Sequence, residues 1–264
     1  PEAGIPAVTS SFASHRGDSQ GNVILTEIMT KAGEIKPVEI KAHTLEIDGR
    51  RMLQGFFRDV TEEVRYRQEQ ETTLRLLRLL NDPSNTPEMV RNLTVCLREW
   101  SGCEAVGVRL REGQDYPYFE TRGFSPEFVE AEKWLCARDD FGQPVLSTTG
   151  NPVLECMCGN VLEGRVDPGL PFFTARGSFW TNSTTELLAS TSEADRQART
   201  RNRCHGEGYE SVALVPLRYG RNTLGLLQMN DRQRDRFTPE LIGFLERIAD
   251  QIAMALSQRQ AQAE

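Results

Sequence analysis

From Asn22 to Thr30 the chain is rich in apolar residues, and Lys31-Ala32-Gly33-Glu34 then supplies a turn. Pro37 to Ile47 alternates, with Val38, Ile40, Leu45 and Ile47 apolar and Glu39, Lys41 and Glu46 polar. A period of two marks a strand with one buried face. Asp48-Gly49 fits a tight hairpin, because glycine adopts the positive φ such a turn requires, and Met52 to Phe57 returns as a further strand. An antiparallel meander of this size buries little core by itself. At Arg58-Asp59-Val60-Thr61-Glu62 the period changes: Asp59 or Thr61 is placed to cap, and a charged helical stretch runs through Arg65, Arg67, Glu69 and Glu71 to Leu80.

Asn81-Asp82-Pro83-Ser84-Asn85 breaks this helix, and Thr86-Pro87-Glu88 starts another, with Thr86 as N-cap and Pro87 in the first turn. Val90, Leu93, Val95, Leu97 and Trp100 carry it to Ser101-Gly102. Strands are expected over Ala105 to Leu110 and Tyr116 to Thr121, then a helix capped by Ser125 and running through Trp134 and Leu135. Residues 139–182 read as irregular. Ser183-Thr184-Thr185-Glu186 fits a capping box opening a short helix to Ala189, and Ser192 is placed to cap a basic helix from Glu193 to Arg203. Ser211 to Leu217 and Thr223 to Met229 form a hairpin about Tyr219-Gly220-Arg221-Asn222. Thr238-Pro239-Glu240 opens a terminal helix to about Arg259, in which Leu241, Leu245, Ile248, Ile252 and Ala255 recur at the spacing of a coiled-coil seam. That seam, joined by Leu74, Leu76, Leu77, Leu79 and Leu80, predicts a parallel homodimer.

Composition narrows the classes. Lys and Arg number 31 and Asp and Glu 38, a formal net charge of −7, which argues against a dedicated nucleic-acid binder needing a concentrated basic footprint. No run approaches the roughly 18 apolar residues of a membrane span, and Pro1 to Gly21 has no signal-peptide stretch. Cys96, Cys103, Cys136, Cys156, Cys158 and Cys204 are too sparse for a secreted disulfide framework, so reduced thiols and a cytoplasmic location are expected.

Lys31 to Glu34 before Pro37-Val38-Glu39, the Asp48-Gly49 hairpin and the closing Asp59-Val60-Thr61-Glu62 resemble the C-terminal half of a PAS domain. Glu210-Ser211-Val212-Ala213-Leu214-Val215-Pro216-Leu217, then Leu224-Gly225-Leu226-Leu227-Gln228-Met229-Asn230, then Phe237-Thr238-Pro239-Glu240 resemble a GAF domain spanning residues 82–260. The division these resemblances imply is a partial PAS-like sheet over 1–60, a connecting helix over 61–81 and the GAF domain over 82–260. The fold class is α+β, a central antiparallel sheet flanked by helices. The pairing resembles the sensory half of bacterial sensor kinases, which implies a small ligand, metal or redox cofactor in the GAF pocket and a histidine kinase or other effector in a segment beyond this chain. A Gly-rich ATP box, a Walker A lysine, a phosphoacceptor-histidine helix near His15 or His43 and a cyclase signature are all missing from the sequence.

The chemistry is expected between Cys156 and Cys204. Thiolates at Cys156, Cys158 and Cys204, with Cys136 or His205, make a candidate metal set. Arg196, Arg199, Arg201 and Arg203 predict a lowered pKa and the highest reactivity for Cys204. Cys204-His205 resembles the pair that holds a bilin in phytochrome-type GAF domains, which implies a tetrapyrrole, bilin or haem, with arginines on its propionates. Cys204 with Cys156 and Cys158 also resembles the cysteines of free methionine-R-sulfoxide reductases, which implies a thiol enzyme. Phe179, Trp180, Thr181 and Asn182 lead into a capped helix and are the expected pocket contacts. Structural cysteines and a solvated arginine face are the alternatives.

Overall fold

The computed structural model describes residues 23–82, 84–148, 150–196 and 200–263. The stretch before Val23, with His15, lies outside them, as does Arg199. The chain forms two compact units that divide between Glu71 and Thr72.

In the first unit β1 (Val23–Met29), β2 (Ile35–Ile47) and β3 (Arg50–Asp59) pair in sequence as an antiparallel sheet. Asp48 and Gly49 both take positive φ, 51° and 70°, the mirror-image turn whose twist matches a hairpin. Val38, Ile40 and Ala42 are buried while Leu25, Phe56 and Phe57 are exposed. Asp59 ends the sheet and starts α1 (Thr61–Leu80): its Oδ1 accepts from Thr61 N at 3.0 Å and Thr61 Oγ1 at 2.5 Å. The Thr61 hydroxyl and amide hold the Asp59 carboxyl down at about 2.

The second unit is built on a five-stranded antiparallel sheet in the order β5–β4–β8–β7–β6. Its strands are β4 (Ala105–Leu110), β5 (Tyr118–Arg122), β6 (Phe179–Thr181), β7 (Ser211–Tyr219) and β8 (Asn222–Asp231). Side chains alternate between two buried faces. Ala213, Val215, Leu227 and Met229 enter one core with α2 (Thr86–Ser101), the end of α1 and α7 (Pro239–Ala263). Val212, Leu214 and Leu226 enter a second core with Phe128 of α3 (Pro126–Ala131), Met157 and Val161 of α4 (Cys156–Glu163), Phe172, Phe173 and Phe179. α5 (Thr184–Ser190) and the single turn α6 (Arg203–Gly206) complete the second layer. The architecture is α+β, as the sequence predicts.

Several boundaries differ from expectation. Asn85, not Thr86, caps α2, its Oδ1 accepting from Glu88 N at 2.9 Å. β5 begins at Tyr118, and α3 ends at Ala131 rather than Leu135 because Glu132 turns inward and is buried. Residues 139–182 contain α4 and β6. The basic helix from Glu193 is not formed among the described residues: Ser192 and Asp195 close a local turn, Ser192 N and Oγ each donating to Asp195 Oδ2 at 2.7 Å, and α6 starts only at Arg203.

The seam positions of α7 serve the domain's own core. Leu245, Ile248 and Ile252 are buried in the first core against the sheet, with Leu241 and Ala255 at its margin, so these side chains are domain interior. Arg259 further ties α7 to the α1–α2 turn by donating to the carbonyls of Leu80, Asp82 and Ser84. Among the described residues no helix is long and apolar enough to cross a membrane.

Candidate functional site

Under the second face of the sheet lies an inner cavity of about 50 Å³. Its walls include Met157, Phe179, Leu187, Leu188, Val212 and Leu214, and its polar edge is formed by Cys156, Cys158, Thr184, Arg196, Thr200, Asn202, Arg203, Cys204 and His205. A more open groove of about 710 Å³ lies on the other side of Leu187 and is lined by Trp180, Thr181, Asn182, Glu186, Asp195 and Arg234, among others. Phe179, Cys156, Cys158, Cys204 and His205 thus share one cavity, whereas Trp180, Thr181 and Asn182 face the groove. Leu187 lines both.

The expected pocket contacts have local duties. Asn182 Nδ2 donates to Phe237 O at 2.8 Å and its Oδ1 accepts from Phe237 N at 2.9 Å, clamping the backbone just before α7. Thr181 Oγ1 bonds the Ser183 backbone. Trp180 packs into the first core. Ser183 caps α5 through Glu186 N at 3.1 Å, but Glu186 reaches Arg234 instead of closing a capping box. Thr184 Oγ1 donates to Tyr209 O at 2.7 Å and lies 3.2 Å from His205 Nδ1. Its one hydrogen is committed, so His205 donates from Nδ1.

A buried polar layer backs the cavity. Tyr118 Oη donates to Gln228 Oε1 at 2.8 Å, and Gln228 Nε2 lies 3.1 Å from Asn230 Oδ1 and 3.7 Å from Cys204 Sγ. Arg109, 0% exposed, sits 3.5 Å over the Tyr118 ring and donates to the carbonyls of Tyr116, Glu132 and Lys133. Sequence reasoning missed these residues because a polar side chain inside a strand reads as solvent-facing unless both faces of the sheet are known to be covered.

Burial disfavours the thiolate at all three cysteines of the cavity. Burial raises Cys204 to about 12, with Cys156 adding to the shift. Burial also raises Cys156 and puts Cys158 well above the ordinary thiol value. The arginines meant to lower them are engaged elsewhere: Arg201 donates to Glu155 at 2.9 Å and to Trp134 O, Arg201 and Arg203 both approach the buried Glu132, and Arg196 donates to Thr191. Burial therefore works against the high reactivity expected of Cys204, desolvation outweighing distant charge.

Among the described residues no group of three or more His, Cys, Asp or Glu is placed to hold a metal ion, so Cys156, Cys158 and Cys204 converge on the cavity without forming a coordination site. A cavity of about 50 Å³ falls far short of the roughly 300–1,000 Å³ of ordinary cofactor sites, so a bilin or haem at Cys204 and His205 does not fit this conformation. The backbone at two cavity residues is strained: Cys156 and Asn202 take φ of 66° and 53°.

The family model for the GAF domain matches residues 87–256. Among solved structures, the chain is similar to the GAF domain of a phosphoenolpyruvate-protein phosphotransferase from Coxiella burnetii, at 14% identity, a TM-score of 0.51 and coverage of 75% of this chain and 97% of that one. It is also similar to the corresponding Acinetobacter domain, at 15% identity, TM-score 0.49 and coverage of 73% and 95%. A third similarity is to free methionine-R-sulfoxide reductase from Neisseria meningitidis in complex with its substrate, at 12% identity, TM-score 0.48 and coverage of 74% and 92%. No curated protein sequence matches the chain. At such identities the likeness concerns the fold.

Proposed function

The chain belongs to the GAF domain family, and from that premise we propose that it is a sensory input module whose inner cavity takes up a small molecule and passes the change to α7. The observation that carries this reading is the position of β6. Phe179 lines the cavity, Trp180 on the opposite face packs in the first core, and Asn182 clamps Phe237 at the start of α7. A second tie runs parallel: Glu246 of α7 accepts from Thr174 Oγ1 at 2.6 Å and Ser178 Oγ at 2.7 Å, in the segment that leads into β6. An occupant pressing on Phe179 therefore acts on α7 through a short chain of packed and hydrogen-bonded groups. It biases α7 only by its differential affinity for two packings. In this reading the first unit is the C-terminal part of a PAS-like domain, and the signal goes to a histidine kinase or similar effector outside this chain.

A cavity-filling substitution mimics an occupant. Hydrogen exchange measured on Val212→Phe is expected to differ from wild type at Phe237 to Leu245, and the same substitution made in an Asn182→Ala background should produce a smaller difference, the Glu246 tie remaining. Identical exchange in wild type and Val212→Phe at that segment would remove the coupling.

The meeting of Cys156, Cys158 and Cys204 in one cavity favours a second reading, a thiol oxidoreductase. Their raised pKa values set its test. Iodoacetamide labelling followed over pH 7–10 is expected to leave Cys204 slow at pH 7 and to rise only toward its value of about 12. Fast labelling of Cys204 at pH 7 would favour the enzyme.

A further inference from the structure

Arg196 is 5% exposed, and among the described residues no carboxylate lies within ion-pair distance of it. The neighbouring Asp195 feels the Arg196 charge but spends its hydrogen bonds on Ser192. Arg196 Nη1 donates to Thr191 O and Thr191 Oγ1, both at 2.7 Å, while its buried Nε has no partner. Thr200 Oγ1, also buried, has none either. Both residues line the inner cavity. A buried guanidinium Nε and a buried hydroxyl, both without a hydrogen-bond partner, each carry a desolvation cost that an anionic oxygen relieves.

The rest of the cavity limits what that anion is. Met157, Phe179, Leu187, Leu188, Val212 and Leu214 offer no hydrogen bonds, so a phosphate or sulfate would turn unpaired oxygens against them. A planar carboxylate with an apolar tail presents both oxygens on one side, matching the planar edge of a guanidinium. At roughly 10–15 Å³ per water, the space of about 50 Å³ holds about four waters, the bulk of a molecule of some half-dozen heavy atoms. The cavity shares Asn202 and Arg203 with an open cleft of about 600 Å³, whose edge carries Arg138 and Arg201 as well as Glu130 and Glu132.

We propose that the inner cavity is a site for a small aliphatic monocarboxylate, its carboxylate held by the Arg196 Nε edge and Thr200 Oγ1 and its tail against Phe179, Val212 and Leu214. This rests on the sensing reading above and gives it a ligand class. Arg196 is the specificity-determining residue, because it separates the acid from an uncharged molecule of the same shape.

The test is calorimetric titration of the whole chain at constant ionic strength with propionate and isobutyrate, their amides, and inorganic phosphate. At least one acid is expected to bind saturably and about ten-fold or more tighter than its amide and than phosphate, with Arg196→Gln weakening it by a similar factor and Arg196→Lys by less. Binding of acid and amide with equal affinity, binding of phosphate as tight as that of the acid, or an unchanged affinity in Arg196→Gln would overturn the proposal. The acid–amide comparison on wild type decides it even where the Arg196→Gln chain does not fold. Equal binding of acid and amide that Val212→Phe abolishes would leave the sensing reading standing and remove the carboxylate. Absence of binding by every probe overturns the carboxylate proposal, and unaltered α7 exchange in Val212→Phe would then remove the sensing reading as well.

Discussion

Gly123→Ala is expected to bring the second unit to the edge of unfolding. Gly123 follows β5 with φ of 82°, and a Cβ there would stand 1.9 Å from Glu104 O, 2.9 Å from Glu104 C and 3.0 Å from Ala105 Cα. All three are backbone atoms where β4 begins, so no side-chain rotation relieves the clash. A positive φ on alanine and a forced backbone shift together cost roughly 3–5 kcal/mol, against the roughly 5–15 kcal/mol that a domain has in total. Gly113→Ala is the control, because its φ of 61° carries the conformational cost while nothing lies within 4 Å of the added atom. Chemical denaturation of both is expected to show a loss of about 1 kcal/mol for Gly113→Ala and several times that for Gly123→Ala. Equal losses would mean that β4 and β5 are not held as described.

The second large effect is expected at Asp115. Its carboxylate accepts from Tyr116 N at 2.6 Å, Leu135 N at 3.0 Å and Cys136 N at 3.1 Å, pinning the segment that follows α3 under the sheet. In Asp115→Asn an amide nitrogen faces one of these buried N–H groups, donor against donor, at a cost of about 2–4 kcal/mol. The pH dependence follows from the same contacts. Burial opposes ionisation of Asp115, but the Cys136 thiol and the three backbone donors outweigh it and hold the carboxyl below its ordinary value. A depressed carboxyl contributes stability that is present above the unfolded value of roughly 3.9 and is lost as pH falls through the folded one. Glu132, raised chiefly by burial, works in the opposite sense. Urea titrations between pH 3 and 7 should therefore show wild type weakening on the acid side of that range and Asp115→Asn weakening less. Parallel curves would assign the acid loss to other carboxylates.

The two kinds of element that carried their own signals were read well from the sequence. Asp48-Gly49 announces its turn because few residues tolerate its φ, and the pair of strands now β7 and β8 announces itself by long apolar runs about a glycine turn. α4 stayed hidden because it is buried on nearly every side: Met157, Cys158, Asn160, Val161 and Leu162 are all interior, so no polar face gives a helical period, and Glu155 provides no side-chain cap. Gly159 within it allows Leu154 O to approach to 2.6 Å of where a Cβ would stand, a packing fact that local propensity cannot anticipate. The coiled-coil spacing in α7 is real, but a helix covering its own sheet produces the same stripe. For the site, Cys156, Cys158, Cys204 and His205 line one cavity, whereas Cys136 lies on the separate open cleft. What the arginine run could not announce is the desolvation of these thiols and the engagement of Arg201 and Arg203 with Glu155 and Glu132, which are properties of the folded chain. In the sequence Arg196 is one of four arginines placed near Cys204, and its burial sets it apart from Arg201 and Arg203.

Hydrogen exchange on the whole chain with and without saturating isobutyrate measures directly whether occupation of the inner cavity moves α7. Slower exchange is expected in Cys156–Glu163, beside the bound acid, together with altered exchange at Phe237 to Leu245, at the far end of the β6 linkage. Protection confined to the cavity, with the start of α7 exchanging as it does in the ligand-free chain, would contradict it.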